Sequence, residues 1–167
     1  MKTKVRKARA GDAGVILRFI KELAQYEREP DAVEATEADI RKQMESGHSP
    51  FECLIAEVDG APAGFALYFF NYSTWRGKAG LYIEDIFVSP QKRGCGAGSA
   101  LFRELGTIAG EKGCGRIEFA VLDWNEPAKK FYSRFGARPL HEWTVYRISG
   151  HALDALAKAQ GSRKDQG

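Results

Sequence analysis

A glycine-rich turn at residues 93–99, Arg-Gly-Cys-Gly-Ala-Gly-Ser, has the residue types and spacing that most directly indicate chemistry. It lies between an apolar run that ends at Val88 and a run of helical periodicity that begins near Ser99. Alternating glycines leave the turn almost bare of side chains, so successive backbone N–H groups can point at an anion where the next helix begins. The turn therefore predicts a binding site for a phosphate group.

Glycine-rich turns between a strand and a helix serve nucleoside triphosphates, dinucleotides or coenzyme A. A P-loop requires a lysine and a hydroxyl residue directly after its last glycine, whereas Gly98 is followed by Ser99 and Ala100. A dinucleotide fingerprint requires Gly-x-Gly-x-x-Gly in the first strand–turn–helix unit, whereas Gly94, Gly96 and Gly98 alternate past mid-chain. The sequence therefore excludes a P-loop and disfavours a dinucleotide site. Coenzyme A and a glycine-rich connection that binds no ligand both stay open.

The composition is that of a globular domain. At 167 residues and 44% hydrophobic content, the chain can bury a full core in one domain, which we place at residues 1–159. The polar segment 160–167 predicts a disordered tail. No apolar stretch approaches the roughly 20 residues of a membrane span, and a net charge of +3 is too small to indicate nucleic-acid binding. We therefore expect a soluble cytoplasmic protein without membrane or nucleic-acid partners.

Reactive thiols and imidazoles are few. The three cysteines are odd in number and have no paired metal-ligand spacing, which favours free thiols in a reducing compartment. The three histidines show neither metal-site nor catalytic-triad spacing. Cys95 lies in the glycine turn, but no histidine is near it in sequence to activate it as a nucleophile. We predict no metal site and a backbone role for Cys95.

The elements before the turn follow from the spacing of apolar residues. Residues 5–8 predict a first strand, and Asp12 is a candidate cap for a first helix. Thr36 begins the capping box of a second helix. Residues 51–58 and 64–72, joined by an Asp-Gly-Ala-Pro turn, predict a hairpin of two antiparallel strands.

A strand–helix–strand unit surrounds the turn itself. Strand 81–88, the helix that begins near Ser99 and strand 116–122 predict a right-handed crossover between parallel strands, with the ligand at their carboxyl ends. Asn125 is a candidate cap for a further helix, and residues 140–148 predict a last strand. The order predicts a mixed α/β fold with an antiparallel first half and one parallel crossover.

Several short motifs spread along the chain form a set. They are KELAQYE at 21–27, YSTW at 72–75, LYIEDIFV at 81–88, AVLDWNEPA at 120–128, FY at 131–132 and FGA at 135–137. Arg93, Gly96 and Gly98 add the pattern of Gln or Arg, two residues, Gly, one residue, then Gly or Ala. This set resembles the acetyl-coenzyme A-dependent N-acetyltransferases of the Gcn5-related superfamily. Within it, the chain is similar to the spermidine/spermine branch and its close relative, the thialysine acetyltransferases.

The resemblance implies the acyl-CoA N-acyltransferase fold, a splayed mixed β-sheet flanked by about four helices. Acetyl-CoA would enter between strands 81–88 and 116–122, with its pantetheine on the first strand and its pyrophosphate on residues 94–99. The cofactor-binding residues that the resemblance implies are Ile86, Phe87, Val88, Arg93, Gly94, Cys95, Gly96, Ala97, Gly98, Ser99, Asn125, Pro127, Ala128 and Tyr132.

The reaction that this implies needs a neutral amine, and at neutral pH only about a thousandth of an amine with a lysine-like pKa is unprotonated. Glu84, two residues before the residues that would contact the thioester, is the candidate base. An equally good interpretation is that Glu84 only attracts the cationic substrate. The resemblance assigns Tyr132 as the general acid toward the coenzyme A thiolate. The alternative for Tyr132 is a packing residue on an amphipathic helix.

The implied amine site combines carboxylates with aromatic rings and comprises Tyr26, Glu27, Trp75, Glu84 and Asp85. Alternation along a strand sends Glu84 and Asp85 to opposite faces, so only one can face the amine unless a bulge intervenes. For Trp75, a loop tryptophan that covers the core is an equally good interpretation.

The leading hypothesis is acetylation of a small primary amine, either a thialysine- or lysine-like amino acid or a di- or polyamine. The polyamine branch has a longer, more acidic segment where this chain has residues 136–143, which favours a smaller amine. The alternatives are a protein lysine or N-terminal acetyltransferase and a non-catalytic acyl-CoA-binding domain; the presence of both Glu84 and Tyr132 disfavours the second. The resemblance also implies a homodimer that packs residues 140–148 across subunits, unless these form an ordinary internal strand.

Overall fold

A five-stranded sheet in the order β1-β2-β3-β4-β5 organises the first part of the chain in the computed structural model, which describes residues 1–158. The strands are β1 Thr3–Lys7, β2 Glu52–Val58, β3 Ala61–Ser73, β4 Lys78–Val88 and β5 Ile117–Phe119. The first four are antiparallel neighbours, and β5 runs parallel to β4. The predicted antiparallel first half and the parallel crossover are both confirmed.

The α-helices of the described residues are α1 Ala13–Tyr26, α2 Glu37–Glu45, α3 Ala97–Glu111, α4 Glu126–Ser133 and α5 Gly150–Lys158. The chain divides into two compact units, residues 1–120 and residues from 121 onward, so α4 and α5 belong to the second unit. The fifth helix, α5, is an element that the sequence analysis did not predict. The predicted tail 160–167 lies outside the described residues.

Helices α1 and α3 cover opposite faces of the sheet. Phe19 of α1 stacks on Phe65 of β3, with ring centroids 5.7 Å apart. Burial and a hydrogen bond to Glu52 raise the pKa of Tyr68, three positions later on β3, and the charge of Glu104 on α3 is near enough to add to this effect. Because successive side chains of a strand alternate, odd-numbered residues from Phe65 onward on β3 face α1 and even-numbered ones face α3.

The predicted caps have different outcomes. The capping box of α2 is confirmed, since the Asp39 amide donates to the Thr36 hydroxyl at 3.2 Å and the Thr36 amide donates to the Asp39 carboxylate at 2.9 Å. Asp12 precedes α1, but its side chain makes no cap hydrogen bond to that helix. Its carboxylate instead accepts from the Arg6 guanidinium at 2.8 and 2.9 Å, and that pairing lowers the pKa of Asp12. An ion pair with β1 replaces the predicted cap.

The prediction of a last strand at residues 140–148 is wrong for the described chain, which has no strand there. Trp143 and Val145 alternate with polar residues, as in a strand, but are 68% and 83% exposed. A strand requires a neighbour to pair with its backbone, and within one described chain this segment has none. The apolar side chains of this segment are therefore left on the surface.

Candidate active site

The glycine turn ends at the N-terminus of α3, as predicted. Gly94 and Gly96 adopt φ values of +80° and +84°, which favour glycine, and Gly96 caps the 15-residue helix. The amide groups of the first helical turn, Ala97 to Ser99, have no intrahelical acceptors because of helix geometry. A Cβ atom built at Gly96 would meet no atom within 4 Å, so the space beside this capping residue is open. The geometry fits a pyrophosphate group.

A second feature is the edge of β4 next to this turn. Strands β4 and β5 pair only from Leu81 with Ile117 to Ile83 with Phe119, whereas β4 continues to Val88. Over the described residues, the last part of β4 therefore has a strand neighbour only on its β3 side. Main-chain groups on the other side, in the stretch predicted to contact pantetheine, have no sheet partner there. The edge fits an extended, amide-containing ligand arm.

The bulge that the sequence analysis left open occurs in β4. Ile83 pairs with Tyr68 and Asp85 pairs with Leu67, so Glu84 is an extra residue without a partner in the ladder. Since Leu67 faces α1, Asp85 faces α1 as well. In a regular ladder, Asp85 would share the α3 face with Ile83, and Glu84 would lie on the α1 face. The bulge moves Asp85 to the α1 face as well. Both carboxylates can thus serve one site.

The two carboxylates of the bulge differ in their surroundings. Glu84 is exposed, whereas burial and the negative charges of Glu84 and Glu27 raise the pKa of Asp85 to about 6. Burial also raises the pKa of Glu27, the residue that follows α1. Glu27 and Asp85 are therefore near enough to repel each other, although they are separated by more than fifty positions in the chain. Such a cluster gains electrostatically when a cation binds to it.

Aromatic rings lie beside the acidic cluster. The rings of Tyr26 and Phe87 have centroids 6.5 Å apart, and we call this pair the aromatic shelf. The guanidinium carbon of Arg93 lies 4.8 Å from the Tyr26 centroid and 5.8 Å from the Phe87 centroid. Sequence reasoning placed Arg93 only with the cofactor turn and missed this contact, because no local pattern signals a contact between residues so far apart in the chain.

Trp75 is not brought to this cluster within one chain. It lies in the turn between β3 and β4 and is 91% exposed. That turn follows Ser73, six residues along β3 from Leu67, the partner of Asp85. At about 3.3 Å per residue, the two points are about 20 Å apart. The role of Trp75 in substrate binding stays a prediction.

The remaining predicted site residues belong to the second unit. Asn125 is buried and caps α4 as predicted, its side-chain oxygen accepting from the Ala128 amide at 3.2 Å. Pro127 lies in the first turn of α4, where its missing N–H costs no hydrogen bond. Tyr132 lies in the last turn, half-buried, with its ring centroid 5.2 Å from that of Phe131.

Known proteins resemble this chain over most of its length. A thialysine N-epsilon-acetyltransferase of Bos taurus is 42% identical over 165 residues, covering 92% of this chain and 96% of that protein. A human spermidine/spermine N(1)-acetyltransferase-like protein 1 is 37% identical over 92% of this chain, which spans 23% of that longer protein. Among solved structures, an integron cassette protein of V. cholerae matches with a TM-score of 0.78 and 30% identity, covering 95% of this chain and 99% of that one.

The sequence profile of the Acetyltransferase (GNAT) family matches residues 17–137, which contain most of α1, the whole of β2 to β5, the glycine turn and the helices α2, α3 and α4. The observed five-stranded mixed sheet, with its parallel β4 and β5, agrees with the acyl-CoA N-acyltransferase fold. The chain therefore belongs to the acetyltransferase (GNAT) family, in its spermidine/spermine and thialysine branch, and is an acetyl-coenzyme A-dependent N-acetyltransferase.

Proposed function

We propose that this enzyme acetylates a small primary amine and that it prefers a zwitterionic, lysine-like amino acid such as thialysine over spermine. The observation that carries the proposal is the cluster of Glu27, Glu84 and Asp85 beside the aromatic shelf. Carboxylates and aromatic faces both attract an ammonium group. The names of the bovine and human relatives are consistent with an amine acceptor of this kind.

Acetyl-CoA supplies the acetyl thioester when it is bound. The amides at the start of α3 and the guanidinium of Arg93 would hold its pyrophosphate, and residues 86–88 of β4, beyond the part that pairs with β5, would hold the pantetheine. Asn125, Pro127 and Ala128 are proposed as further contacts because they match the motif of the branch.

The carboxylates are proposed to divide the work on the amine. Asp85 is half-buried, and its surroundings raise its pKa and so disfavour the charged carboxylate. An ammonium group beside Asp85 would favour the ionised form and form an ion pair with it. Glu84 is exposed, adjacent in the bulge, and remains the candidate base that removes the ammonium proton directly or through a water molecule. Tyr132 is proposed, from the motif match, as the donor of the proton that the departing thiolate requires.

A short amine is favoured over a long polycation by the distribution of charge. A polyamine carries several ammonium groups along its length and needs acidic contacts for each, whereas the described cluster is confined to three carboxylates. The chain as a whole carries a net charge of +3, which adds no long-range attraction for a polycation. One transferable ammonium therefore suits the site better than four.

A cytoplasmic homodimer is proposed as the working form. The exposed apolar side chains of residues 140–148 support an interface between two copies, since five large ones are at least 59% exposed: Leu140, Trp143, Val145, Tyr146 and Ile148. An apolar segment of this kind is normally covered in solution.

The test is thiol release from acetyl-CoA with thialysine, lysine, putrescine, spermidine, spermine and a lysine-containing peptide as acceptors. We expect the highest kcat/KM for thialysine or lysine. A tenfold higher value for spermine, about 1.4 kcal/mol of transition-state binding, would reverse the preference. Turnover of the peptide alone would favour a protein acetyltransferase, and binding of acetyl-CoA without turnover of any acceptor would favour a binding domain.

A further inference from the structure

Arg93 belongs to two parts of the site at once. It is the first residue of the glycine turn, three positions before the cap of α3 at Gly96. Its side chain nevertheless points back along β4, where Nε donates to the Val88 carbonyl at 3.2 Å and the guanidinium lies over the aromatic shelf. The guanidinium of Arg93, a residue of the glycine turn, thus contacts the aromatic rings of the proposed amine site.

The position over the shelf is the one that suits the substrate cation. Tyr26 is followed directly by Glu27, and Phe87 is two residues after Asp85, so both rings adjoin a carboxylate of the cluster. Residues two apart on a strand share a face, which places Asp85 and Phe87 on the same side of β4. An ammonium and a guanidinium would compete for the same rings.

A pyrophosphate at the glycine turn offers Arg93 a stronger partner. Arginine binds phosphate oxygens through two parallel charge-assisted hydrogen bonds, which exceed a contact with aromatic faces in strength. The Arg93 side chain is exposed, and rotation toward the turn would exchange its hydrogen bond to Val88 and its contact with the shelf for hydrogen bonds to phosphate. Rotation would leave the shelf without its cation.

We propose that Arg93 couples the two substrates: its guanidinium holds the cation position of the amine site until coenzyme A at the glycine turn draws it away. This inference rests on the proposed function, because it takes the shelf and the acidic cluster to be the amine site. Coenzyme A and the amine then bind with positive cooperativity, and each raises the affinity of the other by the same factor.

The test is calorimetric titration of thialysine into the full-length protein, with and without saturating coenzyme A, the free thiol, which cannot transfer an acetyl group. For the wild type we expect thialysine to bind at least tenfold more tightly with coenzyme A. For Arg93→Gln we expect tighter thialysine binding in the absence of coenzyme A and a ratio below about threefold.

Lys92→Gln is the matched control, since it removes one positive charge from the adjacent, exposed position and should keep the wild-type ratio. A wild-type ratio near one, or the same ratio in Arg93→Gln as in the wild type, would overturn the coupling. Failure of the coupling can be told apart from failure of the proposed function. The proposed function fails if the wild type releases no thiol from acetyl-CoA with any of the amines. Absence of thialysine binding to the wild type with coenzyme A would contradict both.

Discussion

Asp85 pairs with Leu67 across the β3–β4 ladder, one position short of the Ala66 that an unbroken register from Ile83 would give it. The displacement is the bulge at Glu84, and it moves Asp85 from the α3 face to the α1 face. There Asp85 meets the charge of Glu27, at the end of α1. A single inserted residue thus assembles the acidic cluster from two distant segments.

The raised pKa of Asp85 predicts a pH-dependent cost in stability. The carboxyl group changes from an ordinary pKa of 3.8 to about 6 on folding, so the folded state holds the proton more tightly. Stability is then unaffected below about pH 4, falls between pH 4 and 6, and stays reduced above pH 6. The reduction amounts to at most about 3 kcal/mol.

Asp85→Asn should remove this cost. Its free energy of unfolding in urea should exceed that of the wild type at pH 7.5 and converge with it near pH 4. Glu84→Gln removes a neighbouring charge that contributes to the same raised pKa, so it should give a smaller gain in stability at pH 7.5 than Asp85→Asn, whose cost comes first from burial. A variant Asp85→Asn that is less stable than the wild type at pH 7.5 would show that Asp85 is ionised and satisfied in the fold.

The glycine turn predicts a selective loss of cofactor affinity in Gly96→Val. The new side chain would enter the open space beside the cap of α3, next to the proposed pyrophosphate site, and it would also strain a residue at φ +84°. Gly113→Val is the matched control: Gly113 follows the other end of α3 at φ +64°, also with no atom within 4 Å of its Cβ position. We expect both variants to lose similar stability but only Gly96→Val to bind acetyl-CoA at least tenfold more weakly by calorimetry. Equal affinities in the two variants would remove the turn from the cofactor site.

Because β3 and β4 approach closely at Gly64, we expect Gly64→Ala to lower the stability of the fold. A Cβ atom at Gly64 would clash with the Phe87 carbonyl oxygen and lie 3.0 Å from the Val88 Cα, so β4 must shift where it is proposed to hold pantetheine. Gly106→Ala provides the contrast, because this position within α3 has open space and should gain about 0.5–1 kcal/mol. Thermal unfolding should separate the two variants in opposite directions. A Gly64→Ala protein as stable as the wild type would mean that the strand tolerates the shift.

The sequence predicted those parts of the fold that depend on local patterns. The capping box at Thr36, the Asp-Gly turn of the hairpin and the glycine-rich turn before α3 are each set by residues within a few positions of one another. The bulge at Glu84 and the contact of Arg93 with Tyr26 depend on which strands and helices meet in space, and no short pattern encodes them. The strand expected at residues 140–148 failed for the same reason, since alternation describes a strand but does not supply its partner.

The exposed segment 140–148 predicts a dimer that depends on Trp143. Its side chain is 68% exposed in the single chain, and covering it in an interface would be favourable by about 2 kcal/mol or more. Sedimentation at micromolar concentration should give twice the mass of one chain for the wild type and a monomer for Trp143→Asp. Trp75→Asp changes another exposed tryptophan outside this segment and should leave the mass unchanged. A monomeric wild type would exclude the dimer.

Tyr132→Phe should lower kcat far more than it weakens acetyl-CoA binding. The substitution keeps the ring that packs against Phe131 and removes only the hydroxyl, so α4 should stay intact. Loss of one proton donor costs about 10²–10⁴-fold in rate, because the thiolate must then leave without a proton or take one from water. The measurement is kcat at saturating amine together with calorimetric affinity for acetyl-CoA, which should change by less than about threefold. Tyr146→Phe removes a hydroxyl from a 91% exposed tyrosine and is the control for the chemical change itself. Wild-type turnover in Tyr132→Phe would assign protonation of the thiolate to another group or to solvent.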